Sequence, residues 1–242
     1  MKILISVISY NEEDNIERTL KDLINHNFGY EIVMIDNAST DNTRLICERL
    51  NIKYVSHCVN SGSSSGTILS YFIYANRLKY DVLCQFDGDG QHLASELPKI
   101  ILPIINNEAD IVIGSRFLEK KGFQSHYLRR LGIRLFSFLH KQMTGKNYTD
   151  VTSGFRAYGK NAIDIFGEKF KNDLYDGVNQ FLLIAHYCNL NIIEAPVLMK
   201  KREHGNSEFN LWNAFFFPIK GFVTFLSCYL QRKQLANSFS KK

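Results

Sequence analysis

The chain has 242 residues and an apolar share of 45%, which is ordinary for a globular protein and enough to enclose the core of one large domain. Its five cysteines (Cys47, Cys58, Cys84, Cys188, Cys228) form no C-x-x-C pair and have no metal-like spacing, so a zinc-type site is set aside and they are read as reduced, cytosolic and mostly core. The net charge of +5 is unevenly divided: residues 1–115 carry 9 Lys+Arg against 15 Asp+Glu, a net of −6, and residues 116–242 carry 20 against 9, a net of +11. The second half is therefore expected to face something anionic: nucleic acid, a membrane surface or a phosphorylated substrate.

Met1–Lys2 leads straight into the apolar run Ile3–Ser9, which predicts a strand and no secretory leader. Asn11 is placed to cap a helix that carries Glu12, Glu13 and Asp14 in its first turn and runs to about His26. Further strands are predicted at 31–35, 53–56, 81–86 and 109–114, and helices at 41–50, 67–78 and 95–106. Alternation with short connections predicts a mostly parallel sheet with helices on both faces. Ligands of such sheets bind at the carboxyl ends of the strands. Tyr10, Asn11, Glu12, Asp36, Asn37, Asp87 and Asp89 all follow strand ends. Beyond Gly114 the alternation stops. Residues 128–143 predict an amphipathic helix with Leu128, Leu131, Leu135 and Leu139 on one face and Arg130, Arg134 and Lys141 on another. A TSGF loop, helices near 160–166 and 178–188, a strand at 191–196 and the basic stretch KKREHGNS follow.

The segment VLCQFDGDGQH ends a strand in two aspartates two residues apart. Two carboxylates about 4 Å apart, at an effective dielectric near 20, repel by ~4 kcal/mol, and a divalent cation between them removes that cost. Hard cations such as Mg2+ or Mn2+ accept oxygen ligands and keep positions open for phosphates; Gln91 can add a neutral oxygen. A plain D-G turn is the competing reading. An EF-hand fails on spacing, since His92 stands where Gly is required and Pro98 where Glu is required. A P-loop fails because Thr67 stands where Lys would be needed.

The ordered set ISYNEEDNI, IDNASTDNT, FDGDGQH, IGSRF and DVTSGFRAY resembles the family-2 glycosyltransferases of the GT-A fold, over about residues 1–208. Within that family it resembles the dolichol-phosphate mannose synthase branch, which transfers sugars to polyprenyl phosphates. The resemblance implies a GT-A, Rossmann-like, mostly parallel α/β sheet flanked by helices. It implies a nucleotide held by Tyr10, Asn11, Glu12 and Asp36 with Asp87, and a Mg2+ or Mn2+ ion on Asp87, Asp89 and Gln91. It also implies transfer with inversion, with Asp89, Arg116 and Arg156 in catalytic positions. Three departures from the pattern leave the implied metal ligands untouched: Ser9 for a proline, Asn37 for a second aspartate, and the loop NSGSSSG without a basic residue.

A hydroxyl acceptor needs a general base, whereas a phosphate acceptor is already anionic and needs arginines to position it. Arg116, Arg130, Arg134, Arg156 and Arg202, with Ser153, form the expected acceptor-phosphate set; the competing reading is a solvated basic face. His92, His126, His140 and His204 lack metal spacing and are read as surface or loop residues. Residues 1–208 are expected to form the catalytic domain, 1–115 its nucleotide-sugar half and 116–208 its acceptor half. Residues 209–242 are expected to form a membrane-interface segment: 211–230 includes Trp212 and Phe215–Phe217, but Pro218 and Lys220 interrupt it as a span. The expected function is transfer from a nucleotide-sugar to a polyprenyl phosphate on an anionic membrane surface, by a cytoplasmic protein peripheral to the inner face, with no nucleic acid involved. The alternatives are a glycan-hydroxyl transferase with Asp150, Asp173 or Asp176 as base, and a sugar-phosphate nucleotidyltransferase, whose glycine-rich N-terminal run is missing.

Overall fold

The structure, a computed structural model, describes residues 1–60, 65–119, 123, 127–169, 177–205 and 221–233. Its first half follows the predicted alternation: β1 (Ile3–Ser9), α1 (Glu13–His26), β2 (Glu31–Asp36), α2 (Thr43–Arg49), β3 (Lys53–Ser56), α3 (Ser65–Arg77), β4 (Val82–Asp87), α4 (Leu97–Ile105) and β5 (Ile111–Ser115). In β1, Leu4 and Ile8 point into one core layer and Ile5 and Val7 into the other, the period of two expected of a strand covered on both faces. On α1, Ile16, Leu20 and Leu23 recur at helical spacing and bury against the second layer.

The second half adds α5 (Tyr127–Thr144), β6 (Arg156–Gly159), α6 (Lys160–Asp164), α7 (Gly177–Tyr187) and β7 (Ile192–Pro196). A final helix, α8, covers 221–233. The seven strands form one sheet in the order β3-β2-β1-β4-β6-β5-β7. β6 was not foreseen. Four residues, RAYG, are too few to display an alternation, yet they run antiparallel between β4 and β5 and join the two halves. The sheet is therefore mixed and mostly parallel.

Asn11 does not cap α1. Its backbone adopts φ 51°, and its Oδ1 accepts the Thr40 N–H. The helix start is served from the neighbouring loop: Thr43 Oγ1 accepts from Glu12 N and Asp41 Oδ2 from Glu13 N.

α5 carries two apolar faces. Ile133, Phe136 and His140 are buried, while Leu131, Leu135 and Phe138 lie exposed on the opposite side. Leu139 packs partly against the core, and the Leu128 side chain lies outside the described residues. α8 lies on α5 through Phe225, whose ring stacks 5.9 Å from Phe136 and sits edge-on 5.9 Å from His140. A Cβ at Gly221 would collide with the Phe136 ring, so this close approach requires glycine. The outer side of α8 again exposes apolar side chains: Phe222, Val223, Leu226, Tyr229 and Leu230. Among the described residues no helix is long and apolar enough to cross a membrane. Trp212, Phe215–Phe217, Asp173 and Asp176 lie outside the described residues.

Candidate active site

The parallel register sets Ser9 beside Asp36 and Ile8 beside Asp87, so the loops after β1, β2 and β4 emerge side by side. The chain steps from β1 to β2 on one flank and later to β4 on the other. This is the switch-point geometry at which open α/β sheets bind ligands.

On the β2 side the loops are cross-tied. Asp36 is fully buried; its Oδ1 accepts Ser39 N (3.0 Å), its Oδ2 accepts Ser56 Oγ (2.6 Å), and Arg44 Nε stands 3.8 Å away. Each carboxylate oxygen keeps acceptor capacity, but the group sits behind its own loop. Tyr10 is half-buried beside it in the chain. Asn37 contacts Asn60 and His57, and the other nitrogen of His57 lies 2.8 Å from Ser70 Oγ on α3. His57, in the loop after β3, thus ties the loop after β2 to α3, a role its place in the sequence did not signal.

Glu12, expected at the nucleotide, is engaged by side chains of the chain itself. Its Oε1 accepts from Arg202 Nη2 (2.6 Å) and its Oε2 from Asn15 Nδ2 (2.8 Å). Burial pushes its carboxyl pKa up, against the opposing pull of these two donors.

On the β4 side Asp87 and Asp89 are brought together as expected. Burial, and then the charge of Asp87, raise the Asp89 pKa. Asp89 Oδ1 accepts Gln91 N (3.0 Å), and its Oδ2 lies 3.8 Å from Arg202 Nη1. The Gln91 side chain donates to the Lys200 carbonyl (3.3 Å), and the Gln91 carbonyl accepts Lys200 N (2.8 Å). The wall opposite is the TSGF loop: a Cβ on Gly154 would stand 2.9 Å from Gln85 Nε2 and 3.0 Å from Asp87 Oδ2, so a larger residue here would push on both side chains.

His92 is buried, contrary to the surface reading of the histidines. It stacks on Phe155 at 4.6 Å, and its Nδ1 accepts the Asp87 N–H (2.9 Å). The proton is therefore on Nε2, 3.5 Å from Asp87 Oδ2. Burial lowers its pKa to about 4 and keeps the ring neutral. No metal-type spacing announced this contact. His204 is exposed, His126 lies outside the described residues, and His140 is also buried.

The acceptor arginines separate into three groups. Arg116 is 5% exposed and forms a two-pronged pair with Asp150, Nε to Oδ2 at 2.7 Å and Nη2 to Oδ1 at 2.8 Å. Glu194 of β7 fixes that arrangement by accepting the Thr149 and Asp150 N–H groups. Arg156 is 0% exposed, donates to the Val151 carbonyl (2.6 Å), and bonds with the core phenol Tyr158. Both guanidinium groups are thus buried and held by the chain itself, Arg116 by Asp150 and Arg156 by the Val151 carbonyl. Ser153 is likewise buried, its Oγ accepting Phe155 N (3.3 Å). Arg134 is exposed and Arg130 half-buried, flanking the outer apolar face of α5. Arg202 reaches Asp89, and the charge of Asp87 acts on Arg116.

Two carboxylates, one desolvated, beside an amide and with a cation already drawn in, suit a hard divalent ion whose remaining ligands are phosphate oxygens and water. Among the described residues no three His, Cys, Asp or Glu side chains converge as a self-sufficient metal cage.

A profile described as glycosyl transferase family 2 matches residues 4–166. The chain belongs to glycosyl transferase family 2. It is 32% identical over 213 residues to the UDP-N-acetylglucosamine–dolichyl-phosphate N-acetylglucosaminyltransferase of Methanococcus voltae, covering 81% of this chain and 84% of that protein. It is 27% identical over 216 residues to the undecaprenyl-phosphate mannosyltransferase of Micrococcus luteus, covering 86% and 87%. The fold of this glycosyltransferase is shared with glucosyl-3-phosphoglycerate synthase of Mycobacterium tuberculosis, solved with Mn2+, UDP-glucose and phosphoglyceric acid. There the TM-score is 0.69 at 17% identity, covering 94% of this chain and 79% of that one. The GT-A reading of the sheet stands, and the chain is an enzyme of the glycosyltransferase class.

Proposed function

We propose that this glycosyltransferase moves a sugar from a nucleoside-diphosphate donor to a polyprenyl phosphate, inverting the anomeric centre, while resting on an anionic membrane surface at the cytoplasmic face. The observation that carries the reading is the second, outward apolar face of α5, continued on α8 and flanked by Arg130 and Arg134. A lipid acceptor cannot leave the bilayer without exposing its chain, at about 0.8 kcal/mol per CH2, so the enzyme must come to it. The relatives of similar length, named for dolichyl phosphate and undecaprenyl phosphate, support the acceptor class.

Residues 1–115 supply the donor half, with Asp36, Tyr10 and Asn11 around the nucleotide, and residues 116–208 supply the acceptor half. Asp87 and Asp89, with Gln91, would hold Mg2+ or Mn2+, which when bound neutralises the diphosphate leaving group. His92 holds Asp87 in orientation, and the Gly154 turn closes its far side. A phosphate oxygen needs no strong base to attack. That agrees with Asp150 being clamped by Arg116, which disfavours it as the base of a glycan-hydroxyl transferase. With Arg116 and Arg156 internal, the acceptor phosphate falls to Arg130 and Arg134 of α5, and Arg202 stands on the donor side.

The test is transfer of radiolabelled sugar from UDP and GDP donors into an organic-extractable lipid by the full chain with vesicles containing polyprenyl phosphate. Label in the organic phase, abolished by EDTA and by Asp89→Asn and restored to wild type by Mn2+, is the expected result. Label passing only to soluble glycan would overturn the lipid acceptor, and undiminished activity in excess chelator would overturn the metal.

A further inference from the structure

The segment 199–205 lies across the aspartates as a strap. His92 bridges to Met199, Gln91 exchanges hydrogen bonds with Lys200, Arg18 pairs with Glu203, and Asn15 Nδ2 donates to the His204 carbonyl (3.1 Å). At its centre Arg202 holds two carboxylates at once, Glu12 at 2.6 Å and Asp89 at 3.8 Å, and its own Nε donates to the His204 carbonyl at 2.8 Å. The two contacts are unequal. The Glu12 contact is a short charge-assisted hydrogen bond, made to a buried carboxylate that Asn15 also orients. The Asp89 contact is a looser approach with no hydrogen bond.

We propose that Arg202 is a stand-in cation: without metal it offsets the charge of Asp89, and a divalent ion reaching the aspartates displaces it from Asp89 while Glu12 retains it at the rim of the site. Glu12 thereby acts as the tether of a positioning residue, not as a nucleotide ligand. Arg202 and the metal compete for one carboxylate, and the competition ends in a defined place, because the Glu12 and His204 contacts do not involve Asp89. The freed guanidinium edge is then available to a phosphate oxygen of the donor, two N–H groups of the fork remaining occupied. The inference rests on the proposed metal role of Asp87 and Asp89.

Mn2+ binding to the full-length protein, without nucleotide, tests it by electron paramagnetic resonance of free Mn2+. Arg202→Gln is expected to bind Mn2+ roughly five- to tenfold more tightly than wild type, the gain of removing a partly exposed competing charge. A double variant, Glu12→Gln with Arg202→Gln, leaves no uncompensated Glu12 behind and is expected to show the same gain. Equal or weaker binding by Arg202→Gln would overturn the competition, and a gain confined to the single variant would trace it to the bared Glu12 carboxylate and overturn it as well. Mn2+ binding that survives Asp89→Asn, or that is absent from every variant with and without UDP, would instead remove the metal site itself. Thermal melts of each variant establish that the comparison is made on folded protein.

Discussion

Replacing Leu131, Leu135 and Phe138 together with serine separates membrane docking from folding. These side chains are 56%, 45% and 56% exposed, so about half of each remains to be buried by a partner. Full burial of a Leu or Phe side chain contributes about 1.5–3 kcal/mol. Half of that is roughly 1 kcal/mol each, or about 3 kcal/mol for three, which corresponds to roughly a hundredfold fall in membrane partitioning. The fold should be little affected, since exposed substitutions usually move stability by no more than ~0.5 kcal/mol each. Arg130 and Arg134 add about 1 kcal/mol each near an anionic surface, a contribution that salt screens. Co-sedimentation with anionic vesicles should therefore find the serine variant largely released at physiological salt. Arg130→Gln with Arg134→Gln should be released only as salt rises. An unchanged bound fraction for the serine variant, at an unchanged melting temperature, would refute the assignment of the outer α5 face.

Arg116→Ala leaves Asp150 buried and unpaired, and urea unfolding should show a loss of about 3–5 kcal/mol; a fully stable variant with altered lipid-phosphate kinetics alone would return Arg116 to the acceptor. Lowering pH should loosen the α5–α8 contact. His140 is held neutral by burial, its pKa lowered from 6.5 to about 3, so the unfolded chain takes up the proton first and stability falls as pH drops below about 6.5. At pH 5 that amounts to about 2 kcal/mol. His140→Phe should recover it in a wild-type comparison at pH 7.5 and pH 5, where the carboxylates are common to both.

The sequence displayed most of this architecture through periodicity. β1, β4 and α1 are long enough for a two- or 3.6-residue pattern to be counted, and their ends carry the polar residues that line the site. β6 could not be counted at four residues. The burial of the arginines was hidden for a related reason: residue type announces charge, but not whether a strand points it inward, as with Arg156, or whether a carboxylate 34 positions away pairs with it, as Asp150 does with Arg116. α5 was read as having one apolar stripe because the leucines were obvious. Its true inner face uses Ile133, Phe136 and His140, and a histidine does not advertise burial. Nor could the sequence show the partner of Glu12, which lies 190 residues on.

The place of β6 has a consequence for how the chain is made. β4 pairs with β6 through Leu83 and Tyr158, so the edge of β4 stays open until residues some 75 positions later have left the ribosome. The strands β3, β2, β1 and β4 can associate first, from nearby segments, and they present an unpaired apolar edge until β6 arrives. Asp87 is then in place before the Gly154 turn that walls it. Fragments ending before Gly159 should aggregate rather than accumulate as soluble donor-binding halves, and the slow step of refolding should be the closure of β6 between its two neighbours.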